Sequence, residues 1–294
     1  MVQVQKRTIL ITGCSDSGAG HALALEFHRQ GLRVFAPARS IKSPSTLEEK
    51  GIETLALDVT LEDGISSVKK EIASRTGGTL DMLFNNAGSM FEIPAIEADP
   101  QATKSMFEAN VFGLFNMVTA FTPLLLASSS NPQLPPTIVN TSSIVSRVPF
   151  SHAAQYNASK AAVSSYSDTL RIELAPLGIK VVTLYMGVVA TGITNPDRIN
   201  FGSSSLYEEV EEGLRQRNEF ARQVVKGVLD SPTIGKGEHL WKGASATAVW
   251  ALNAFGWRKI FDGSIQQTVG LTSAVKRLIY ERGQQSVSTS HKVD

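Results

Sequence analysis

The chain has 294 residues, of which 42% are hydrophobic and 19% charged, and its formal net charge is +1 at pH 7. This composition is typical of a globular protein with a large core, and the small charge gives no electrostatic reason to expect nucleic acid or an anionic membrane as a partner. The single cysteine, Cys14, cannot form an intramolecular disulfide and suits a reducing compartment. No apolar run approaches the roughly 20 residues that span a bilayer, and residues 1–7 do not resemble a signal peptide. We therefore expect a cytoplasmic protein without membrane contact.

Short apolar runs that favour strands alternate with helical patterns along the first two thirds of the chain. In chain order, the predicted strands are Thr8–Thr12, Leu32–Ala36, Glu53–Leu57, Met82–Asn85, Thr137–Thr141 and Lys180–Tyr185. Strands that alternate with helices predict an α/β fold, in which a parallel sheet is covered on both faces. The chain shows no internal repeat and no dividing linker, so we expect a single domain over residues 1–283.

Beyond Gly192 the strand signal fades into polar, helix-prone sequence with short apolar patches. The segment Trp241–Trp257 has aromatic and apolar residues at helical spacing. Docking of this segment on the domain is the favoured interpretation, and contact with a lipid chain or a partner subunit is the alternative. Residues 284–294 are predicted to be a flexible tail.

A glycine-rich stretch, residues 12–20 (TGCSDSGAG), links the first predicted strand to a helix. Glycines at such a turn let the backbone approach a pyrophosphate, which the N–H groups of the helix N-terminus attract. The loop alone is a weak signal, because an ordinary strand-to-helix turn can look the same. Asp16 opposes phosphate binding unless its carboxylate points to solvent.

The second predicted strand ends near Arg39, and no carboxylate occurs between Glu26 and Glu48. An acidic residue near this place binds the adenosine 2′-hydroxyl in many dinucleotide-binding proteins. Arg39, helped by Ser40 or Lys42, can instead accept a 2′-phosphate. A solvated surface arginine is the alternative. The pattern favours NADPH over NADH as the cofactor.

Tyr156 and Lys160 are four residues apart at the start of a predicted helix and therefore share one helical face. An ammonium beside a phenol favours the phenolate, so we expect a lowered tyrosine pKa and proton exchange with a carbonyl or alcohol oxygen. Ser143, thirteen residues before the tyrosine, follows Ser142 at the end of a predicted strand. A hydroxyl there can hold the substrate oxygen. Each feature alone is common in turns and on surfaces, and only the combination indicates catalysis.

These motifs together resemble the short-chain dehydrogenase/reductase family over about residues 6–192. The residues that carry the resemblance are Thr12-Gly13, Gly18-x-Gly20, Asp58-Val59, Asn85–Gly88, Asn110, Ser143 and Tyr156-x-x-x-Lys160. The long glycine loop is similar to the branch that includes fungal 1-acyl-dihydroxyacetone-phosphate reductase-like proteins, with Ser17 replacing a glycine. Met186 stands where the family has a proline. The resemblance implies a Rossmann-type doubly wound parallel sheet, NADPH-dependent oxidoreductase activity, and a homodimer or homotetramer.

The resemblance also implies a role for each motif residue. Tyr156 would be the general acid in carbonyl reduction, and Ser143 would orient and polarise the carbonyl. Lys160 would hold the nicotinamide ribose and lower the tyrosine pKa, and Asn110 would position a water in a proton relay. The alternative for Asn110 is a simple bond from helix to strand, and the alternative for Asp58 is a helix cap.

The cofactor-binding residues implied by the resemblance lie at the adenine, ribose, pyrophosphate and nicotinamide positions, and no metal site is expected. They are Gly13, Ser15, Gly18, Ala19, Gly20, Arg39, Asp58, Val59, Asn85, Asn86, Gly88, Tyr156, Lys160, Gly187, Val189 and Thr191. Asp58 would meet the adenine edge, Asn85–Gly88 would lie along the adenosine ribose, and residues 187–191 would contact the nicotinamide.

Residues 192–230 would form the substrate lid of the family. The candidate lining residues are apolar or aromatic: Met90, Phe91, Val145, Val148, Phe150, Phe201, Leu206 and Tyr207. They favour a fairly large apolar or aromatic ketone, such as a secondary-metabolite intermediate, although ordinary packing is the alternative for each residue. An acyl-dihydroxyacetone phosphate, a non-redox rearrangement on the same scaffold and a non-enzymatic nucleotide-binding role remain open.

Overall fold

The structure of the chain is a computed structural model. It describes residues 6–16, 18–40, 46–128, 134–147, 150, 152–187, 199–201, 205, 273, 274, 277, 280 and 281, and the backbone of 239–242. The predicted tail, residues 284–294, and most of the predicted lid lie outside these residues. The prediction of a single domain over residues 1–283 therefore stays a prediction.

Strands and helices alternate along the described ranges. The strands are β1 (Thr8–Ile11), β2 (Arg33–Phe35), β3 (Met82–Asn85), β4 (Thr137–Ser143), β5 (Lys180–Met186) and β6 (His239–Lys242). The helices are α1 (Ala19–Arg29), α2 (Glu62–Thr76), α3 (Pro100–Phe107), α4 (Gly113–Ala127) and α5 (Ala154–Leu174). A π-helical turn, Glu108–Phe112, joins α3 to α4.

The strands form one parallel sheet in the order β2-β1-β3-β4-β5-β6. Residues of β1 alternate between the two faces, because successive strand side chains point to opposite sides. Leu10 belongs to an apolar cluster that includes residues of α2, α4 and α5. Ile9 and Ile11 belong to a second apolar cluster, which includes residues of α1. All four residues of β1 are buried. These layers confirm the predicted doubly wound α/β fold, and the carboxyl ends of its strands meet at one edge.

Two parts of the sheet differ from the sequence pattern. Glu53–Leu57 pairs with residues 34–38 through four backbone hydrogen bonds, as a strand would, but it forms two isolated parallel bridges, Phe35 to Glu53 and Ala38 to Ala56, rather than a regular strand. The Glu53 carboxylate is paired with Arg33 (2.6 Å) and with a helical arginine. The sequence also missed β6, whose last two residues belong to the Trp241–Trp257 segment, in which apolar residues have helical spacing. The rest of that segment lies outside the described residues.

One described helical run, Pro100–Ala127, is long and apolar enough to cross a membrane, with a mean hydropathy of 1.5. It consists of α3, the π-helical turn and α4. More than half of its apolar window, 56%, is buried inside the protein. The large side chains of α4, such as Met117 and Phe121, lie in the core against the sheet. The run is therefore a core helix.

A chain of buried hydrogen bonds joins β3, β4 and α5. The Asn85 amide donates to Asn140 Oδ1 (2.9 Å), and the Asn140 amide donates to Ser167 Oγ (3.0 Å). The three side chains are at most 4% exposed. Buried polar groups of this kind are costly when one partner is removed, because the other partners lose their hydrogen bonds without regaining water.

We expect Asn140→Ala to lower the free energy of unfolding by about 3 kcal/mol, since it leaves the Asn85 amide and Ser167 without their buried partner. Urea unfolding at neutral pH measures the change. Asn157→Ala is the matched control, because Asn157 makes a partly buried bond to the Phe150 carbonyl. It should cost less than about 1 kcal/mol. Equal losses in the two variants would contradict the structural role of the buried chain.

Candidate active site

Ser142 and Ser143 end β4 and face opposite ways, as neighbouring strand residues must. The Ser142 hydroxyl is buried against α5, where it contacts Ser164 Oγ (2.7 Å) and the Lys160 carbonyl (3.0 Å). The Ser143 hydroxyl forms a hydrogen bond with the Tyr156 phenol and also donates to the Met186 carbonyl (3.3 Å). The structure therefore brings Ser143, rather than Ser142, to the tyrosine.

Lys160 is 4% exposed, and its ammonium donates to the Thr141 carbonyl (2.9 Å). The Lys160 nitrogen lies 5.9 Å from the centre of the Tyr156 ring. Burial lowers the pKa of Lys160 to about 8. Tyr156 and Lys160 stand on the first two turns of α5, so one helix positions both groups.

The predicted lowering of the tyrosine pKa was wrong for this structure. Burial raises the pKa of Tyr156 to about 12, and the hydrogen bond with Ser143 opposes that rise only in part. The Lys160 ammonium is bonded to the Thr141 carbonyl and does not reverse the effect. The phenol is therefore protonated at neutral pH, which is the state that a proton donor needs.

Asn110 lies in the π-helical turn, an irregularity that often occurs at functional sites. Its Oδ1 accepts from the Ser89 N–H (2.7 Å), and its Nδ2 donates to the Ser89 carbonyl (2.9 Å) and to Ser159 Oγ (3.0 Å). A Cβ on Gly88 would lie 3.0 Å from Asn110 Oδ1 and 3.6 Å from Lys160 Nζ. Asn110 thus joins the helix to the turn after β3, and it stands close to Lys160. Its role in a water relay remains a prediction.

The glycine-rich loop is clamped to the turn after β3. Thr12 Oγ1 accepts from the N–H groups of Asn86 (3.0 Å) and Ala87 (2.9 Å), and the Asn86 amide donates to the Thr12 carbonyl (2.8 Å). A Cβ on Gly20 would lie 2.5 Å from the Gly13 carbonyl oxygen and 2.6 Å from Asn86 Nδ2. Gly13 has φ +75°, a conformation that favours glycine. These contacts explain why both positions are glycine.

The loop residues fit the pyrophosphate of a dinucleotide. Helix α1 begins after Gly18 with no side-chain cap among the described residues and with no acidic residue in its first turn. Its first backbone N–H groups can therefore donate hydrogen bonds to a bound anion. The Asp16 side chain is 74% exposed and lies 3.5 Å from His21 Nδ1. This carboxylate points to solvent, which is the condition under which the sequence analysis expected it not to repel a bound phosphate. Ser15 is also exposed, and its carbonyl accepts from the Gly18 N–H (3.0 Å).

Arg39 and Asp58 face the same end of the sheet. Arg39 is exposed, and its guanidinium forms no hydrogen bond or salt bridge within the described part of the chain. Burial raises the pKa of Asp58, but hydrogen bonds from Thr60 and the charge of Arg39 outweigh it and hold that pKa below its ordinary value. Asp58 Oδ1 accepts from the Thr60 N–H (3.0 Å) and hydroxyl (2.7 Å), which is the capping role given above as the alternative. Val59 packs against Gly113, where a Cβ would lie 2.8 Å from Val59 Cγ2.

The structure turns the Asn85 side chain away from the edge where a cofactor would lie. This side chain is 4% exposed and bonded to Asn140 inside the sheet, so a contact of Asn85 with a ribose would come from its main chain. The placement of Asn85–Gly88 along the adenosine ribose remains a prediction. Gly187 follows β5 directly at the site edge. Other predicted residues lie outside the described ones: Ser17, Lys42, Val148, Val189, Thr191, Leu206 and Tyr207.

The start of the predicted lid packs beside the turn that precedes α5. Phe201 is buried with Ile199 and Ile93, and its ring stacks on the His152 ring at 5.5 Å. Ser205 Oγ donates to the Glu97 carboxylate (2.7 Å). Among the described candidates for the lining, Met90, Phe91, Val145 and Phe150 are partly exposed, whereas Phe201 is buried. Lining roles for them remain predictions.

Several polar residues behind the site were not predicted from the sequence. The four-residue spacing of Tyr156 and Lys160 continues to Ser164 and Asp168 on the same face of α5. Arg147, which follows the turn after Ser143, lies 3.7 Å from the Asp168 carboxylate. The spacing of four residues along the helix predicts Ser164 and Asp168 as further residues of this face. No pattern in the sequence points to Arg147.

The fold and the site define a doubly wound α/β oxidoreductase with a place for a dinucleotide at the carboxyl edge of its sheet. The family model described as short chain dehydrogenase matches residues 7–200. The chain therefore belongs to the short-chain dehydrogenase family. This result confirms the resemblance that was based on the motifs.

Known relatives extend the comparison. The chain is 44% identical over 188 residues to the NADPH-dependent 1-acyldihydroxyacetone phosphate reductase of Schizosaccharomyces pombe, a match that covers 64% of this chain and 62% of that protein. The chain thus matches less than two thirds of the length of that relative. It is 38% identical over 264 residues to the short-chain dehydrogenase virD of Hypocrea virens, which covers 86% of this chain and 89% of that protein.

A solved relative shows the same architecture. The 3-ketoacyl-(acyl-carrier-protein) reductase from Brucella melitensis, solved in complex with NADH, has a TM-score of 0.60 and is 28% identical. The match covers 64% of this chain and 77% of that chain. Because one relative is named for NADPH and another was solved with NADH, the preference of this chain has to be argued from its own residues.

We expect the Lys160 ammonium to titrate near pH 8 rather than at its ordinary 10.5, because burial disfavours its charge. NMR of protein with isotope-labelled lysine measures this pKa, and Lys160→Met identifies the signal by its loss. Between pH 8 and 10.5 the unfolded state binds more protons at this residue. The contribution of Lys160 to stability therefore rises with pH across that window. A Lys160 signal that titrates at the ordinary value would contradict the burial seen here.

Proposed function

We propose that this chain is an NADPH-dependent reductase that converts a ketone to an alcohol. The observation that carries the proposal is the hydrogen-bonded pair of hydroxyls, Ser143 and Tyr156, beside the buried Lys160. The pair lies at the sheet edge that also holds the glycine-rich loop. In a doubly wound sheet, this edge is where ligands bind.

The residues of the chain divide into those that hold the cofactor and those that act on the substrate. NADPH, when bound, supplies a hydride. The loop from Gly13 to Gly20 holds the pyrophosphate through backbone N–H groups, and Arg39 holds the 2′-phosphate by charge-assisted hydrogen bonds. Lys160 holds the nicotinamide ribose. Gly187 would contact the nicotinamide, as the family resemblance also implies for Val189 and Thr191, which lie outside the described residues.

Ser143 and Tyr156 act on the substrate oxygen. The Ser143 hydroxyl donates a hydrogen bond that polarises the carbonyl, and the Tyr156 phenol gives its proton to the oxygen as negative charge develops there. Asn110 positions a water that returns a proton toward Lys160 from solvent. These groups lie near the start of α5, which carries Tyr156 and Lys160 and whose Ser159 accepts from Asn110 Nδ2 (3.0 Å).

Tyr156 is in the protonation state that carbonyl reduction needs. Burial raises its pKa to about 12, so the phenol is ready to donate but is rarely a phenolate base near neutral pH. Alcohol oxidation needs the base. The exposed Arg39, which suits NADPH, supports the same direction.

The substrate is a fairly large apolar or aromatic ketone of secondary metabolism, supported by the partly exposed Met90, Phe91, Val145 and Phe150 near the site. A second candidate is an acyl-dihydroxyacetone phosphate, supported by the 44% identity to the yeast reductase. Incubation with NADPH and each ketone, followed by mass spectrometry, separates these substrates. A product that has gained no hydrogen would instead indicate a non-redox rearrangement.

A homodimer or homotetramer in the cytoplasm is the proposed form of the enzyme.

We expect Tyr156→Phe to lower kcat for ketone reduction by about 10²- to 10⁴-fold, because it removes the proton donor. The dissociation constant of NADPH, measured by protein fluorescence, should stay within about twofold, since the glycine-rich loop, Arg39 and Lys160 keep their contacts with the cofactor. Tyr166→Phe on the same helix is the matched control, because that ring stacks on Phe115 away from the site. If Tyr156→Phe weakens NADPH binding and lowers turnover only as much as the lost binding accounts for, a role of Tyr156 in proton transfer is contradicted.

We expect Arg39→Ala to weaken NADPH binding by about 10- to 100-fold and to leave NADH binding unchanged, because only NADPH carries the 2′-phosphate. Parallel fluorescence titrations with the two cofactors measure the change. Arg29→Ala removes an exposed arginine that is paired with Glu26, and it serves as the control. Equal weakening of both cofactors would rule out recognition of the 2′-phosphate by Arg39.

A further inference from the structure

The turn after Ser143 ends at an arginine that the proposed reaction does not use. The Arg147 N–H donates to the Ile144 carbonyl (3.0 Å). Its guanidinium donates to the Tyr185 hydroxyl, lies over the Tyr185 ring at 5.1 Å, and is 3.7 Å from the Asp168 carboxylate. The side chains of Arg147 and Asp168 are 13% and 25% exposed. Solvent therefore screens this pair less than an exposed salt bridge.

Three serine hydroxyls connect this region to the backbone of the site. Ser142 and Ser164 are 2.7 Å apart, and Ser146 lies 3.3 Å and 3.1 Å from them. Ser146 donates to the Ser143 carbonyl (2.6 Å). The Ser142 and Ser164 oxygens each lie 3.0 Å from the Lys160 carbonyl oxygen, so one hydroxyl can donate to this carbonyl while the other donates across the serine pair. The hydroxyls thus bond to the main chain of both Ser143 and Lys160.

Arg147 reaches the two elements that flank the site. Tyr185 is in β5, opposite Ser142 of β4 in the parallel register. Asp168 is on α5, two helical turns beyond Lys160. One side chain on the turn after β4 therefore contacts both the neighbouring strand and the helix that carries the proton donor.

We propose that Arg147 is a positioning residue which, with Asp168 and Tyr185, holds the turn after Ser143 so that the serine hydroxyl stays against Tyr156. This inference rests on the proposed reductase function. The Ser143 hydroxyl can rotate, and its partners are the Met186 carbonyl (3.3 Å), the Tyr156 phenol and the Val145 N–H, which donates to its oxygen (3.4 Å). A fixed turn limits which of these groups the Ser143 hydroxyl can bond to when the substrate binds. A misplacement on the order of 1 Å at reacting groups can cost about 10²-fold in rate.

The test measures reduction of 2-acetylnaphthalene, an aromatic ketone, at saturating NADPH. Arg147→Met should lower kcat by about 10- to 100-fold while the dissociation constant of NADPH stays within about twofold. Arg147→Lys should recover part of the rate, because it restores the charge beside Asp168 but not the planar contact with Tyr185. Tyr185→Phe keeps the ring and removes only the hydroxyl, so it tests the contact if Arg147→Met does not fold.

A double-mutant cycle separates positioning from general damage. If Arg147 acts through Ser143, then Arg147→Met should change the rate of a Ser143→Ala enzyme by less than about twofold, because the group it positions is absent. Arg75→Met is the control, because Arg75 is also ion-paired but lies on α2, with Glu53 and Glu71 as partners. That control should leave kcat unchanged.

Hydrogen exchange gives a result that does not depend on turnover. Backbone amides of residues 143–147 should exchange faster in Arg147→Met and in Tyr185→Phe than in the wild type, while amides of β1 should not change. Unchanged exchange at residues 143–147 would overturn the proposal, as would an equal loss of rate in the Ser143→Ala background. A wild-type enzyme that reduces no ketone would instead count against the proposed function, and the exchange result would still decide the role of Arg147.

Discussion

The packing of helix α5 across strands β4 and β5 is the interaction on which the site depends. Directional polar contacts hold the helix in place: Asn140 to Ser167, Ser142 to Ser164, and the Lys160 ammonium to the Thr141 carbonyl. Apolar packing alone would tolerate small shifts of the helix along its axis, whereas buried hydrogen bonds specify one position. Because Tyr156 is on the first turn of the same helix, that position also decides where its phenol meets the strand end.

Burial at the site shifts two pKa values in opposite directions. It raises the pKa of Tyr156 and lowers that of Lys160, so both groups move toward their neutral forms. The cofactor phosphates would meet a different environment, made of backbone N–H groups at the start of α1 and of the exposed Arg39. The sheet edge thus combines a weakly charged reaction site with a place for anions.

Sequence patterns predicted those features that depend on local spacing. The positions of five strands, the glycine loop and the catalytic motif all follow from periodicity or from residue spacing. Alternation predicted that the segment around Glu53 pairs with the sheet, and it does bond to residues 34–38, but the reduction of this pairing to two bridges depends on how the two backbones meet, which the sequence pattern does not contain. The inward turn of the Asn85 side chain and the raised pKa of Tyr156 also escaped prediction, since both depend on which tertiary neighbours bury the side chain. A spacing of four places the lysine near the tyrosine but does not reveal its bond to the Thr141 carbonyl.

The most direct test follows the hydride itself. The enzyme would be incubated with 2-acetylnaphthalene, an aromatic ketone, and with NADPH that carries deuterium at both C4 positions of the nicotinamide, and the product would be analysed by NMR and mass spectrometry. We predict an alcohol with one deuterium on the carbinol carbon. A product without deuterium at that carbon, or one that has only rearranged, would contradict the assignment of this chain as a carbonyl reductase.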